Sequence, residues 1–168
     1  VKVLISDANV LIDMEVGELI QPMFQLPYKF HTPDILFEEE LDEQHAYLLE
    51  MGLIKAPLSG DILQYAQQLM AKYPRPSRND CFALALAASL SLPLLTGDKH
   101  LRSATKREGV TVMGSLWLFV EMENHGLITK DSLTIALKKM KDGGRRLPWS
   151  KAEALGPMVA QITDQLLE

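Results

Sequence analysis

Three aspartates far apart in the chain, Asp7, Asp80 and Asp98, stand in the same kind of place. Asp7 and Asp98 each follow an apolar run that reads as a strand, and Asp80 opens an apolar helix. In open α/β sheets the C-terminal strand edge and the adjoining helix starts form the usual binding crevice, so residues remote in sequence converge there. Glu39, within Glu38-Glu39-Glu40 on the helix expected after a second strand, can join them. Carboxylates gathered in this way repel and raise one another's pKa values. A divalent Mg²⁺ or Mn²⁺ removes that penalty, because both prefer oxygen ligands. Such a site can polarise a phosphodiester, activate a water and neutralise the leaving oxygen.

Each acid also has a plainer explanation. Aspartate at a helix start is often a cap or a dipole partner, which for Asp80 weighs as much as a ligand role. Asp7 and Asp98 can be turn residues, and three consecutive glutamates are more often a solvated helix face. The common position at one sheet edge carries the argument, not any single residue.

The elements that would position these acids alternate. Val1 to Ile5 is a β-branched and aliphatic run of the kind found in strands covered on both faces. Asn9 to Leu19 reads as a loop passing into a helix, Tyr28 to Thr32 as a strand, and Ile35 through Leu49 as a long helix ended by Gly52. Leu53 to Ala56 is a candidate edge strand. Ser59 precedes a helix over Ile62 to Lys72, and Pro74 to Ser77 is a hard boundary. Ser77 lies three residues before Asp80, the start signature of a capped helix that runs on through Ala88. Strands are expected over Leu92 to Thr96 and Val110 to Met113, flanking a helix over Lys99 to Glu108. Alternation of this kind predicts a three-layer α/β/α sandwich with a central parallel sheet. Helices follow over Leu116 to Asn124, from Thr129 or Lys130 through Lys141, and from Lys151 to Leu167, the last capped by Ser150 with Pro157 a break. The expected division is a core over 1–113 and a helical C-terminal extension over 114–168 packed on it.

With 168 residues and 47% hydrophobic residues, the chain has material for a proper core. Its net charge of −5 excludes a protein that coats nucleic acid by charge alone, although bound cations and a few arginines can reverse the local field. Cys81 is the lone cysteine, so neither an intrachain disulfide nor a Cys-rich zinc site is available. No apolar run reaches membrane-spanning length, and the opening VKVLISDANVLIDM lacks a signal-peptide layout, which points to the cytoplasm. The histidines His31, His45, His100 and His125 show no zinc spacing, and no Walker or Rossmann glycine pattern appears.

The stretch S-D-A-N-V-L-I-D (Ser6 to Asp13) resembles the opening motif of PIN domains. T-P-D-I-L-F-E-E (Thr32 to Glu39), N-D-C-F-A-L-A-L-A (Asn79 to Ala87) and L-L-T-G-D-K-H-L (Leu94 to Leu101) resemble the family's later acidic motifs, in the same order. The tail G-S-L-W-L-F-V-E-M resembles that of a prokaryotic branch related to toxin–antitoxin ribonucleases of the VapC-like type. The resemblance implies a Mg²⁺- or Mn²⁺-dependent endoribonuclease acting on RNA, with Asp7, Glu39, Asp80 and Asp98 as ligands or metal-positioning acids. It also implies that Thr96 is the family's small hydroxyl residue, holding a carboxylate or a water; Asn9 could do similar work. An antitoxin protein and a homodimer are the partners it implies. The alternative is a non-catalytic nucleic-acid- or partner-binding regulatory protein of the same fold.

Trp117, Phe119, Met122 and Trp149 are large apolar groups available either to an interface or to the core. Lys99, His100, Arg102, Lys106 and Arg107 follow Asp98 closely and can contact phosphates or form a solvated face. Arg75 and Arg78 precede Asp80, and Arg145-Arg146 forms a basic turn after two glycines.

Overall fold

A computed structural model describes residues 2–155. Five strands, β1 (Lys2–Ser6), β2 (Tyr28–Pro33), β3 (Ile54–Ala56), β4 (Leu94–Leu95) and β5 (Val112–Met113), form one sheet in the order β3-β2-β1-β4-β5. Every pairing is parallel, with Ile5 opposite both His31 and Leu94. Leu4, Ile5, Phe30, Leu94 and Leu95 have no exposed surface. That explains why these strands read as continuous apolar runs: helices cover both faces. The fold is therefore the expected parallel α/β sandwich with C-terminal helices.

β3 is an edge strand, as its sequence predicts. β4 and β5 are two residues each, shorter than the runs around them. Pro93 has no N–H to give to a ladder, although its carbonyl still accepts from Ile5 N at 3.0 Å.

Two helices differ from expectation. Helix α1 (Ala8–Val16) stops at Gly17, and after Glu18 in the left-handed region (φ 58°) a separate α2 (Ile20–Gln25) begins. The long helix expected from Ile35 to Leu49 is three pieces: α3 (Asp34–Glu40), α4 (Asp42–His45) and α5 (Tyr47–Met51). Glu38, Glu39, Glu40, Asp42 and Glu43 crowd carboxylates at i,i+4 spacing, which weakens a continuous helix. The burial of Leu41, His45 and Leu48 then favours a bent path. Gly52, at φ 123°, ends the segment.

Next come α6 (Gly60–Lys72), capped by Ser59, and α7 (Arg78–Leu90), which packs on β1, β2 and β4. Helix α8 (Lys99–Arg107) joins β4 to β5. Helices α9 (Ser115–Asn124), α10 (Lys130–Asp142) and α11 (Trp149–Ala154) complete the described chain. Ser150 lies inside α11 rather than capping it, because that helix starts earlier, with Pro148 at its N-cap. Val1, and the helix expected through Pro157 to Leu167, lie outside the described residues.

The C-terminal helices share the hydrophobic core of the sheet: Leu118, Phe119, Met122, Leu133, Met140 and Leu155 belong to one cluster with Leu4 and Leu11. Trp117, Phe119 and Met122 are buried there and leave no surface for an interface, whereas Trp149 is half-buried. Packing of α10 on α1 is close enough to require small residues. A Cβ on Gly17 would lie 2.3 Å from Met140 Cε, and one on Gly143 would lie 2.7 Å from Val16 Cγ1. This packing delivers the turn after α10 to the edge of the sheet. Among the described residues, no helix is long and apolar enough to cross a membrane.

Candidate metal centre

Strand order reverses direction around β1: the chain moves outward through β2 and β3, then returns to place β4 on β1's other side. The C-terminal ends of β1 and β4 thus flank a topological switch point, where open α/β sheets form their crevice. Asp7 follows β1 directly, and Thr96, Gly97 and Asp98 follow β4.

Asp7 caps α1, its Oδ1 accepting from Val10 N at 2.9 Å. Its Oδ2 accepts from Thr96 Oγ1 at 2.5 Å, across the two central strands. The same Thr96 oxygen accepts from Asp98 N at 3.1 Å, so one buried hydroxyl ties the first acid to the backbone of the last. Asp98 caps α8 through Oδ1, which accepts from Leu101 N at 2.8 Å. Asp80 closes a capping box: its Oδ2 accepts from Ser77 N at 2.9 Å, and Asp80 N donates to Ser77 Oγ at 3.1 Å. All three aspartates therefore satisfy the ordinary capping role, and the caps also fix where their carboxylates stand. Asp80 Oδ1 and Asp98 Oδ2 retain no hydrogen-bond donor among the described residues.

The three feel one another. Asp7 is only 2% exposed; burial pushes its carboxyl up to about 7, the Thr96 and Val10 bonds oppose that, and the charges of Asp80 and Asp13 add to it. Burial also raises Asp80, with a further push from Asp98. Desolvation and like charge both favour the protonated form, and a cation would relieve both.

The three glutamates separate. Glu38 turns to Lys55, at 2.7 Å. Glu39, in the last turn of the shortened α3 and exposed, pairs with Arg78 and accepts from Asn79 Nδ2 at 3.0 Å; those contacts lower its pKa. Glu40 accepts from the same Asn79 amide at 3.0 Å, and burial, then the charges of Asp80 and Glu39, raise it. Glu40 is thus the glutamate electrostatically joined to Asp80. With its amide nitrogen committed to two carboxylates, Asn79 must present Oδ1 away from them, and that atom is buried with no hydrogen-bond partner.

Among the described residues, no group of three or more His, Cys, Asp or Glu side chains stands where it could hold a metal ion. The donor chemistry nevertheless fits a hard divalent cation: anionic oxygens, two with unused acceptor capacity, and the orphaned amide oxygen of Asn79 beside them.

A pairing with no local sequence signal lies next to Asp7. Asp13 is 5% exposed, and Arg145 Nε donates to its Oδ1 at 2.6 Å while Ser115 Oγ lies 3.3 Å from its Oδ2. Arg145 also reaches Asn9 O at 3.3 Å and Oδ1 at 3.4 Å. Asp13 belongs to the opening motif and Arg145 follows a Gly-Gly turn, but nothing local couples positions so distant.

These features define a parallel α/β domain with acidic side chains at its switch point. The chain belongs to the PIN domain family, whose sequence model matches residues 3–155. No curated protein matches the chain.

Proposed function

We propose that this protein is a metal-dependent endoribonuclease that hydrolyses RNA phosphodiester bonds. The observation that carries the reading is the set of Asp7, Asp80 and Asp98 at one switch point, each fixed by a helix-start bond, with Asp80 Oδ1 and Asp98 Oδ2 unpartnered. Membership of the PIN domain family supports it.

In this reading, Asp7, Asp80 and Asp98 hold Mg²⁺ or Mn²⁺ with a glutamate from α3: Glu39 by family resemblance, Glu40 by its coupling to Asp80. The bound cation supplies Lewis-acid polarisation and a lowered pKa for the attacking water. Thr96 orients Asp7 and fixes the Asp98 backbone, a supporting role that tunes the carboxylates. Burial of Asp7 excludes water from one side of the site. The finer proposal is a toxin whose antitoxin lays a segment across these acids; co-expression with any short protein encoded beside it, followed by co-purification and loss of cleavage, tests that role.

The primary experiment is cleavage of labelled RNAs and single-stranded DNAs by the purified protein with Mg²⁺, Mn²⁺ or chelator, alongside Asp7→Asn, Asp98→Asn, Glu39→Gln and Glu40→Gln. Metal-dependent RNA cleavage that both aspartate variants lose supports the reading, and the glutamate pair identifies the fourth acid. Wild type and variants cutting alike would indicate a contaminant. Metal binding without cleavage of any substrate would leave a regulatory binding protein of the same fold.

A further inference from the structure

Beside the acids, between α8 and the segment that enters α11, lies a cavity of about 500 Å³. Lys99, Arg102, Lys106, Arg146 and Lys151 line it, a concentration of positive charge in a chain of net charge −5. Several cations elsewhere find carboxylates: Lys55 with Glu38, Lys72 with Glu108, Arg78 with Glu39, Lys139 with Glu18, Arg145 with Asp13. Among the described residues, no carboxylate pairs with Lys99, Arg102, Arg146 or Lys151. Arg102 is partly buried as well, and among the described residues no carboxylate compensates it. Lys99, Arg102, Arg146 and Lys151, gathered in one concavity with no carboxylate partner among the described residues, form a site for an anion, and Arg matches phosphate geometry well.

The cavity is joined to the acidic centre. Gly97, between Thr96 and Asp98, forms part of its wall, and Arg102 Nη1 donates to Thr96 O at 2.9 Å. Its remaining wall includes Leu116, Leu147 and Pro148, apolar side chains against which the face of a base can be buried. The volume lies within the range of pockets that hold a small organic ligand, of which one nucleotide is an example.

We propose that this cavity is a nucleotide subsite: it seats one phosphate of a bound single-stranded RNA on the cations and the attached nucleoside against the apolar wall. A single strand fits because its unstacked base can turn into a pocket, whereas a duplex keeps its bases stacked. The subsite rests on the ribonuclease reading and gives that site a strand-holding arm on the Asp98 side.

The test is binding of a short fluorescently labelled single-stranded RNA to the full chain in chelator, across a salt series, with metal-supported cleavage measured in parallel. The pocket variant is Arg146→Glu with Lys151→Glu, both exposed in the structure. The control is Lys29→Glu with Lys130→Glu, which changes the net charge equally at exposed positions away from the cavity. Circular dichroism and melting establish that each variant is folded.

The expected result is ~tenfold or greater weakening in the pocket variant, with the salt slope shallower by roughly 0.7 for each phosphate that the variant no longer neutralises, and little change in the control. Equal weakening in both variants, or none in either, while wild type still cleaves RNA, overturns the subsite and leaves the ribonuclease reading standing. Neither RNA binding nor cleavage by the wild type removes both. A mononucleotide that displaces RNA at lower concentration than RNA itself requires would assign the cavity to a free phosphorylated ligand and overturn the strand role.

Discussion

Asp7 and Glu108 are both largely enclosed carboxylates that accept hydrogen bonds, yet their surroundings act in opposite directions. Burial pushes Asp7 up to about 7, despite the bonds from Thr96 and Val10. Glu108, the C-cap of α8 at the end opposite Asp98, receives Tyr65 Oη at 2.6 Å, Tyr73 Oη at 2.6 Å and Lys72 Nζ at 2.9 Å; these donors pull it down to about 2. The difference is whether the fold supplies enough positive or donor character to hold the charge. At Glu108 it does, and the residue fastens α6 to α8. At Asp7 it does not, and neighbouring acids add to the deficit. A cost of this kind at a switch point is what the proposed site would impose on the fold.

Asp7→Asn tests the contrast most strongly. In the metal-free protein the substitution is expected to stabilise the fold by a few kcal/mol at pH 8, because an asparagine side chain carries no charge to bury. The sign follows from proton binding. Between an ordinary value of 3.8 and about 7, the native state holds a proton on Asp7 that the unfolded chain has released, so wild-type stability falls as pH rises through this window. The advantage of the variant should therefore vanish near pH 4. Cleavage should fall by about three orders of magnitude, the scale of several kcal/mol in a barrier. Added Mg²⁺ or Mn²⁺ should raise the melting temperature of wild type more than that of the variant. A variant that melts earlier than wild type at pH 8 without metal would remove the idea that Asp7 is held at a cost.

Asp13 is the intermediate case, buried like Asp7 but given a partner. Burial raises its carboxyl, and Arg145 opposes that by hydrogen bond and charge. Arg145→Ala converts it into a second uncompensated acid. The expected cost is about 2–4 kcal/mol, below the upper end for buried pairs because Arg145 is itself partly exposed. Asp13→Asn in the same chain should recover much of that loss, measured by chemical denaturation. An Arg145→Ala protein as stable as wild type would show that water already solvates Asp13.

The sequence made one side of this contrast far more legible than the other. Asp7, Asp80 and Asp98 could be read because an acid after an apolar strand, or at a capped helix start, has a local signature, and parallel topology brings such ends together. The order of strands and most helix starts were legible for the same reason. The register within Glu38-Glu39-Glu40 was not, because adjacent helical positions point in different directions and repulsion had already broken the helix that would have set their phase. Arg145 with Asp13, and Glu108 with Tyr65, Tyr73 and Lys72, are tertiary pairings across 132, 43, 35 and 36 positions. No spacing rule spans such distances. The cationic cavity was visible only as basic residues after Asp98 and at the Arg145-Arg146 turn; their meeting depends on how α10 packs against α1.

Thr96→Val asks how much of the Asp7 environment depends on one hydroxyl. The substitution keeps the volume but removes the donor to Asp7 Oδ2 and the acceptor for Asp98 N. Because the Thr96 bond is the largest influence opposing burial, its loss should raise Asp7 further. Cleavage should drop about 10–100-fold, the scale found when a group supporting a metal ligand is lost. The activity that remains should require higher pH or more metal, and Thr96→Ser should restore it. Equal activity in Val and wild-type proteins would reduce Thr96 to a packing residue.

Glu108→Gln addresses the other pole. The glutamine retains an acceptor for one tyrosine but loses the charge that strengthens its hydrogen bonds, for an expected cost of about 1–2 kcal/mol at pH 7. Lys72 contributes little of this, since its side chain is 62% exposed and screened by water. The pH dependence has the sign opposite to that of Asp7. A carboxyl whose pKa falls from 4.5 to about 2 on folding stabilises the protein fully above its unfolded value, and that contribution is lost as pH falls through this window. Wild type and Glu108→Gln should therefore differ at pH 7 and converge in acid, whereas wild type and Asp7→Asn differ at pH 8 and converge near pH 4 from the other side. Cleavage at neutral pH should be unaffected by Glu108→Gln, because this cluster sits at the opposite end of α8 from Asp98. If the Glu108 variant matches wild-type stability at pH 7, or unfolds in acid at the same midpoint with the same slope, the tyrosine contacts hold no charge and the contrast between the two carboxylates reduces to burial alone.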